Sequence, residues 1–503
     1  MTRGWAWRIL AAATLGAALT VMSLRIPTWL DGWWPWPPLP EGSLWGRAAV
    51  VFAWTTNPVV PTLALLAVAL WAGRRRLLRL AARLVASSLL SLSIVTTLKV
   101  LVGRERPVTG WLGVLTSDAS FPSGHAAAAT VLACGLLALA REARWPPRRA
   151  GWWATGWLLF VLLVGADRLL LQVHHVSDVL AGVLVGVFAH ALASAFAYSP
   201  ARSPIAASGL RFAVVCNPAR VRNAGLLRRV VEAEAGGRGW RLVGWHTTTV
   251  EEPGSEAATA ALSAGADLVL VVGGDGTQRA ACSALAHSPA TLGLIPHGSG
   301  DLLARALRVP RDLPTAVRAA LDGTPMPLDL LRVELDGRPE VSAVMVGIGA
   351  DAAVLRDTSE AWKRRVGPYA YLAAGARHIA ARPVPTRVVV DGEEVLDGPA
   401  SLVEIGNVAD LHQGIALLPG ATPFDGIADV LVASPSGAGD VVRMIAGVLA
   451  GRTTDRQLTR GRGCTVEVRT ASPVTCQIDG ELMGDVSSLR LAVDPGAVRV
   501  ALS

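Results

Sequence analysis

The sequence predicts a six-span, all-α membrane bundle joined to a soluble part that is α/β at first and mostly β towards its end. Three observations carry that expectation. Apolar runs of membrane-spanning length recur up to about residue 200 and stop there. Between residues 211 and 300, apolar strands run through glycine-rich turns into helical stretches. From about residue 327 the pattern alternates, with Asp336-Gly337 and Asp391-Gly392 as hairpin signals. A chain of 503 residues also exceeds what one compact core supports, so at least two domains are expected.

A helix needs about 20 largely apolar residues to cross roughly 30 Å of hydrocarbon. Six runs approach that length: 6–25, 49–72, 79–98, 125–140, 152–166 and 178–197, the fourth and fifth short enough to need partly buried polar flanks. Orientation follows from the arginines, because short loops rich in Lys and Arg stay cytoplasmic. Arg74, Arg75, Arg76 and Arg79 follow the second run, and Arg141, Arg144, Arg148 and Arg149 follow the fourth, so both loops are expected inside. An even number of spans then leaves the N-terminus and everything after residue 200 in the cytoplasm. The loop bearing Trp29, Trp33, Trp34 and Trp36 would face out as an interfacial aromatic belt. The net charge of +8 sits largely in these loops and reads as topology and contact with anionic lipid. No basic stripe interleaved with aromatics points to nucleic acid. Cys134, Cys216, Cys282, Cys464 and Cys476 have neither CxxC nor metal-ligand spacing and read as free thiols in a reducing compartment. The first apolar run lacks a clear small-residue cleavage site and reads as a retained anchor. An Ala- and Arg-rich chain of this kind suits a bacterial inner membrane.

Three short segments carry candidate chemistry, each at a span end or loop on the outer side. Lys99 and Arg106 are seven residues apart, two helical turns, so both cations face one way if the third span's helix continues that far. Cations at that depth are costly, which favours a functional reading; headgroup anchoring is the alternative. Pro122-Ser123-Gly124-His125 sets a hydroxyl and backbone amides before a helix, where phosphate oxygens are well received, with His125 beside them as a proton donor. A plain helix cap is the alternative there. The third segment holds Arg168, His174 and Asp178. The four-residue spacing stacks carboxylate under imidazole on one helical face, as a nucleophilic or basic histidine requires. His175 is also within helical reach of Asp178, and spacing does not exclude it.

Taken together and in order, Lys99-x6-Arg106-Pro107, Pro122-Ser123-Gly124-His125 and Arg168-x5-His174-x3-Asp178 resemble the three-part signature of the type 2 phosphatidic acid phosphatases. The resemblance selects His174 over His175. It implies that His174 attacks phosphorus to form a phosphohistidine, that Asp178 orients it, and that His125 protonates the leaving alkoxide. Lys99, Arg106, Ser123, Gly124 and Arg168 would bind the phosphate oxygens, with no metal or other cofactor. Asp167 departs from the family, which usually has Ser before the arginine: it either weakens anion binding or pairs with Arg168. Vanadium-dependent haloperoxidases share the signature, and six spans favour the lipid phosphatase. The motifs read phosphate rather than the lipid tail, so phosphatidic acid and a polyprenyl pyrophosphate stay equally open as substrates.

Residues 199–209, with two prolines and little apolar periodicity, read as a linker. Beyond it, the strand at 211–216 leads to Asn217-Pro218, and the strand at 267–272 leads to Gly273-Gly274-Asp275-Gly276-Thr277. Such glycines let backbone amides approach phosphates, and the following helix N-terminus favours negative charge. Asp275 among them suggests a magnesium-linked or phosphate-linked role. The strand at 292–296, followed by His297-Gly298-Ser299-Gly300, repeats the device. Near the end, Asp479-Gly480-Glu481 reads first as one more hairpin turn.

These pieces, with Gly347-Ile348-Gly349-Ala350-Asp351 and Asp425-Gly426-x2-Asp429, resemble the diacylglycerol kinase catalytic family, which includes sphingosine kinases and bacterial lipid kinases. The resemblance implies a two-lobed lipid-kinase-like domain: an α/β nucleotide-binding lobe over 210–325 and a mostly β, sandwich-like lobe over 326–503. The membrane-embedded domain would occupy 1–198. ATP would lie at Asn217, at Gly273, Gly274, Asp275, Gly276 and Thr277, and at Gly298, Ser299 and Gly300, with magnesium at Asp275. Glu481, accompanied by Asp479, is the candidate base on a lipid hydroxyl, and Asp425 would belong to a structural metal site. The chain departs from this family at Gln278-Arg279-Ala280, where Asn and Glu are usual, and at Asp301-Leu302, where Asn-Asp is usual. The expectation is a bifunctional membrane enzyme that hydrolyses a lipid phosphate at the outer face and phosphorylates a lipid alcohol such as diacylglycerol inside. The alternative is a phosphatase regulated by a catalytically silent lipid or nucleotide sensor.

Overall fold

The structure is a computed structural model that describes residues 3–34, 36–37, 39–40, 42–107, 119–196, 209–249, 251–350, 352, 383–412, 415–416, 418–435, 439–440, 443 and 457–503. The expected linker, apart from Gly209, and Asp351 lie outside the described residues. The chain divides into two units. One is Met1–Ser203 with the short pieces Gly225–Ala233 and Asp312–Pro314, and the other is the remainder.

In the first unit the described elements are helical: α1 (Arg3–Leu24), a 3-10 turn (Thr28–Trp33), α2 (Leu44–Thr55), α3 (Val59–Arg74), α4 (Leu78–Val102), α5 (Gly124–Glu142), α6 (Pro147–Leu170) and α7 (Val176–Phe196). Four of them, α4 to α7, are long and apolar enough to cross a membrane. A fifth span results if α2 and α3, bent by 41° at their junction, count as one. That break has a local cause. Proline at 58 has no amide to donate and disfavours helix in the residue before it, while the Asn57 side chain accepts from Val59 N at 3.1 Å and starts the next helix. The apolar stretch of α1 described in full, Ile9–Leu24, is shorter than a standard span. Leu89, Leu92, Leu158 and Leu162 point outward and exposed, as lipid-facing positions do.

Close packing between α5 and α7 centres on two glycines. A Cβ at Gly182 would lie 2.4 Å from the Ser123 carbonyl oxygen, and one at Gly186 would lie 2.6 Å from Thr130 Cβ. Opposite them stand Ala126, Ala127 and Thr130, all buried. Small residues of this kind let membrane helices approach where apolar burial alone gives no drive.

The second unit contains β1 (Arg211–Cys216), α8 (Ala224–Gly236), β2 (Arg241–Thr247), α9 (Ser255–Ser263), β3 (Leu268–Gly273), α10 (Asp275–Leu285), β4 (Thr291–Pro296), α11 (Leu302–Ala306), α12 (Leu313–Asp322), β5 (Thr324–Leu335), β6 (Arg338–Ser342) and β7 (Met345–Gly349). It continues with β8 (Val384–Val390), β9 (Glu393–Ala400), β10 (Leu402–Gly406), β11 (Asp410–His412), β12 (Ile415–Ala416), β13 (Ala428–Ala433), β14 (Leu458–Gly463), β15 (Thr465–Ile478) and β16 (Glu481–Leu502). β2, β1, β3 and β4 pair in parallel in that order. Every residue of β3 is buried, as suits a continuous apolar run in a parallel sheet. The hydrogen-bonded order continues through β16, β15, β7, β10, β13 and β14, and those contiguous pairs are antiparallel apart from the β16–β4 junction.

Two large hydrophobic cores stand out among the described residues of this unit. The first gathers Val215, Val269, Val271, Leu292 and Leu294 from the parallel strands with Ala258, Ala281 and Leu285 from α9 and α10. The second gathers Val346 and Ile348, Val388 and Val390, Val403 and Ile405, Val430 and Val432, Val466 and Val468. Alternate residues of many strands thus face one another across a single core, which is how a sheet folds back on itself as a sandwich. Strand β15 makes the turn: its residues 466–470 pair with β8 and its residues 476–478 with β7.

Candidate active sites

In the first unit the three motif segments converge. Helix α4 ends at Val102, capped by Gly103 in the left-handed region at φ 59°. The expected continuation to Arg106 is therefore corrected. Lys99 sits on the last turn of α4 and Arg106 in the non-helical stretch that follows, and they reach the site from different backbone conformations. The Lys99 ammonium donates to the Ala119 carbonyl. Arg106 Nη1 donates to the Val173 carbonyl at 2.9 Å and stands 3.3 Å from His174 Nε2. Arg168, 1 % exposed, brings Nη1 to 3.3 Å from His125 Nε2, which also lies 3.3 Å from the Ala53 carbonyl. Asp167 pairs with Arg168, its Oδ2 accepting from Nε at 3.0 Å and from Nη2. Of the two outcomes open for Asp167, pairing is the one realised.

His174 and Asp178 do not share a helix, because α7 begins at Val176. Stacking on one helical face is thus corrected to a turn in which Asp178 Oδ2 accepts the His175 amide at 2.9 Å and lies 3.6 Å from His174 Nδ1. That last distance is slightly long for a formed hydrogen bond. The His174 imidazole is 4 % exposed, and burial first, then the cations of Arg106 and Lys99, push it down to about 4 against the opposing pull of Asp178. It is neutral at pH 7 and keeps a lone pair for attack. His175 supplies its backbone rather than its ring. Ser123 is buried as the N-cap of α5, where Oγ accepts from Ala126 N at 3.5 Å and the Ser123 amide donates to the Asp178 carbonyl at 2.9 Å. Gly124 opens the helix beside it.

Two partners went unnoticed in the sequence. Arg104 donates through Nη1 to Ser177 Oγ at 2.7 Å and Asp178 Oδ1 at 2.8 Å, and through Nη2 to Asp31 Oδ2 at 2.6 Å. Arg104 falls in the unspecified stretch between Lys99 and Arg106, and Asp31 is 73 residues upstream of Arg104, so no spacing pattern joins them.

In the second unit the two glycine turns follow neighbouring strands β3 and β4 and lie backbone against backbone. A Cβ at Gly298 would stand 2.7 Å from the Gly274 Cα, and the His297 amide donates to the Gly273 carbonyl at 2.9 Å. Asp275 fastens the pair by accepting Asp301 N at 2.9 Å and Leu302 N. Asp301 returns the tie by accepting Gly298 N at 2.7 Å. Its φ of 51° is a left-handed conformation that Asp and Asn tolerate, so this departure from the family pattern keeps the turn. Burial, with further contributions from the carboxylates of Asp301 and Asp479, pushes Asp275 up to about 6 against the amides that stabilise its anion. Asn217 reaches this edge, its Nδ2 donating to Thr277 Oγ1 at 3.2 Å. Ser299 and Gly300 lie between the two ties, and a Cβ at Gly300 would meet Asp275 Oδ2 at 2.6 Å.

Asp479 and Gly480 form the expected two-residue hairpin between β15 and β16, both at positive φ. Glu481 follows, and its carboxylate lies against Gly276, where a Cβ would meet Oε1 at 2.3 Å. There it is held by Arg279 Nη2 at 2.5 Å. Asp479 is 3 % exposed and accepts from Ser342 Oγ and from the amides of Ala343, Val344 and Met345 at 2.7 to 3.0 Å. A carboxylate engaged by four donors holds β7 and the hairpin in place beside Glu481.

The expected metal ligands do not fit a cation held by the protein. Among the described residues no three His, Cys, Asp or Glu side chains form a ligand group. Asp275 is taken up by backbone amides. Asp425, distant in sequence from both glycine turns, accepts Ile427 N and faces Arg462 at 3.0 Å, while Asp429 faces the same guanidinium at 3.1 Å. An arginine thus stands between the two carboxylates where a metal was expected.

Comparison with known proteins agrees with this division. Residues 80–200 match the PAP2 superfamily, residues 212–333 the diacylglycerol kinase catalytic domain, and residues 344–502 the YegS C-terminal NAD kinase beta sandwich-like domain. A Stenotrophomonas maltophilia protein named "Probable lipid kinase YegS-like" is 30% identical over 252 residues, 48% of this chain and 81% of that protein. The chain belongs to the YegS-like lipid kinase family. It carries in addition a PAP2 superfamily domain ahead of the kinase-like one. A Mycobacterium tuberculosis diacylglycerol kinase is also 30% identical, over 213 residues, 42% of this chain and 69% of that protein. A Bacillus subtilis transmembrane PAP2-type phosphatidylglycerolphosphate phosphatase is 21% identical, covering 38% of this chain and 92% of that one, with a TM-score of 0.24. A PAP2 domain and a YegS-like kinase domain in one chain imply lipid substrates and membrane association.

Proposed function

We propose that the protein is a bifunctional membrane lipid enzyme whose PAP2 domain hydrolyses a lipid phosphate, phosphatidic acid or a polyprenyl pyrophosphate, through a phosphohistidine. The observation that carries this reading is the meeting of His174, Arg106, Arg168 and His125 within 3.3 Å contacts around a buried neutral imidazole. His174 Nε2 attacks the terminal phosphorus and its P–O bond to the leaving group breaks, so that the alkoxide of phosphatidic acid, or the lipid monophosphate of the pyrophosphate, leaves with a proton from His125. Water then attacks the phosphohistidine, releasing inorganic phosphate and restoring His174. Lys99, Arg106 and Arg168 offset the charge of the phosphoryl oxygens, with Ser123 and Gly124 at the adjacent helix start. Asp178 orients His174 and balances its cationic phosphorylated form.

The full reading has six spans over residues 1–198, a linker at 199–209, a nucleotide lobe at 210–325 and a β lobe at 326–503. The arginine-rich loops after the second and fourth spans put the phosphatase site outside a bacterial inner membrane and the C-terminal domain in the cytoplasm. In that domain ATP lies on the paired glycine turns, with Asn217 and Thr277 at their edge, and Glu481 draws the proton from the hydroxyl of diacylglycerol or a similar lipid alcohol.

One observation favours the second reading, a catalytically silent sensor: the candidate base Glu481 is ion-paired with Arg279, which lies in the stretch Gln278-Arg279-Ala280 where the family usually has Asn and Glu. The guanidinium occupies the carboxylate that would otherwise face the lipid hydroxyl.

Both readings are tested on the full-length protein. Phosphate release from phosphatidic acid and from a polyprenyl pyrophosphate in detergent micelles should be abolished by His174→Ala, and wild-type release equal to that of the variant ends the phosphatase reading. Lipid phosphorylation from labelled ATP should rise several-fold in Arg279→Asn. Nucleotide binding with no lipid phosphorylated by either form favours the sensor.

A further inference from the structure

We propose that Asp31 and Arg104 are positioning residues of the phosphatase site, so that a segment lying ahead of the matched PAP2 region completes it. This rests on the phosphatase reading above. The PAP2 match begins at residue 80, and Asp31 lies in the 3-10 turn between α1 and α2.

That turn and the residues after it are docked on the catalytic elements. Trp34 packs on Ala126, Leu169 and Val179, which belong to α5, α6 and α7. Leu39 packs on Leu171 and Val173, and its amide donates to the Leu170 carbonyl at 3.3 Å. Between these contacts Asp31 accepts three hydrogen bonds. Its Oδ1 accepts from the Ser177 amide at 3.1 Å and hydroxyl at 2.7 Å, and its Oδ2 from Arg104 Nη2 at 2.6 Å. Arg104 passes the connection on to Asp178 Oδ1 at 2.8 Å, and Ser177 Oγ accepts from the same Nη1 at 2.7 Å. Burial raises the affinity of Asp31 for a proton, but the donors Arg104 and Ser177 outweigh it and hold the carboxyl below its usual range, so Asp31 is an anion.

Charge explains why two partners are needed. When His174 takes the phosphoryl group its ring becomes cationic, and the side facing Asp178 needs a net negative charge. Arg104 alone would fix the carboxylate of Asp178 but also cancel it. With Asp31 on the other edge of the guanidinium, the trio keeps one net negative charge, equal to that of a lone Asp178, and gains a fixed orientation. A planar guanidinium fork suits this bridge, and a lysine cannot span both carboxylates.

The test measures hydrolysis of phosphatidic acid and of a polyprenyl pyrophosphate in mixed micelles by the full chain, with inorganic phosphate as a competitive probe of the anion site. Asp31→Asn keeps size and polarity while removing the charge, and should lower kcat about 10- to 100-fold with KM and the inhibition constant for phosphate within about threefold. Arg104→Lys should do the same. The double variant should be no worse than the poorer single one, and Asp31→Glu should recover part of the loss. A kcat for Asp31→Asn within twofold of wild type overturns the proposal, as do independent losses that multiply in the double variant. A parallel loss of phosphate affinity points to a general fold defect and also overturns it. No phosphate release by the wild-type protein would end the phosphatase reading instead, which separates the two failures.

Discussion

In the proposed phosphatase reaction His174 is the residue on which the chemistry turns, and its environment makes a quantitative statement. Burial and neighbouring cations hold its imidazole at about 4, against an ordinary value near 6.5. In the free enzyme the nucleophile is then neutral down to that pH, so kcat/KM plotted against pH should fall on the acid side with a limb near 4 rather than near 6.5. Stability follows with a defined sign. Between about pH 4 and 6.5 the unfolded chain binds a proton at this histidine that the folded chain does not, so the contribution of His174 is full above 6.5 and declines as pH falls through the window. At this scale the motif residues were legible because His125, His174, Asp178, Arg106 and Arg168 come in short, ordered blocks. Arg104 and Asp31 were not, since their relation to Asp178 exists only once α7 and the 3-10 turn at Thr28–Trp33 have met. Arg279 was noticed as a departure, but only the hairpin that carries Glu481 reveals what it touches.

Elements explain why those residues meet. The α5–α7 crossing is close because Gly182 has no side chain to hold the Ser123 carbonyl away. Gly182→Ala would add an atom 2.4 Å from that oxygen, so α7 and the turn before α5 must separate. Phosphate release should fall at least tenfold in this variant, and thermal unfolding of the purified protein should shift down. Activity unchanged within twofold would mean the helices accommodate the methyl group. Helix positions were readable from apolar run length, and the strands before the glycine turns from unbroken apolar stretches. Helix ends were less so. The stop at Gly103 depends on one left-handed residue, and the break at Asn57-Pro58 falls inside a stretch, 49–72, whose overall length and apolarity read as a single span. The Asp479-Gly480 turn was read correctly as a hairpin, yet the fourfold engagement of Asp479 needs the Ser342 hydroxyl and the amides of Ala343 to Met345, 134 to 137 residues away in sequence.

For the molecule as a whole, a PAP2 domain and a lipid-kinase-like domain occur in one chain, and the proposed function gives them opposite chemistries, one removing a phosphoryl group and one adding it. Each site is assembled from residues of its own unit: the phosphatase cluster from positions 31 to 178, the glycine turns and Glu481 from positions 217 to 481. Loss of one chemistry should therefore leave the other. His174→Ala should keep wild-type nucleotide binding and lipid phosphorylation, and Glu481→Gln should keep wild-type phosphate release, both measured on the full-length protein. A variant that silences both activities while remaining folded would reveal coupling between them. The division into a membrane half and a soluble half was legible from composition alone, because the switch in apolar patterning near residue 200 is abrupt. What composition could not give is the course of the long β15 and β16 strands, whose pairing partners lie far apart in sequence.

That course bears on how the soluble half is made. Strand β4 is flanked on one side by β3, which precedes it closely, and on the other by Arg499 and Val500 of β16, roughly two hundred residues later. Until that last strand arrives, β4 has an open edge of unpaired backbone groups, and the nucleotide lobe waits for the far end of the other lobe. Pairings of such long sequence separation are slow to form, because the intervening loop must be closed before any contact repays it. The nascent domain thus spends its synthesis with an adhesive sheet edge exposed. Its yield on expression should depend on chaperones and growth temperature more than that of a domain whose sheet closes locally.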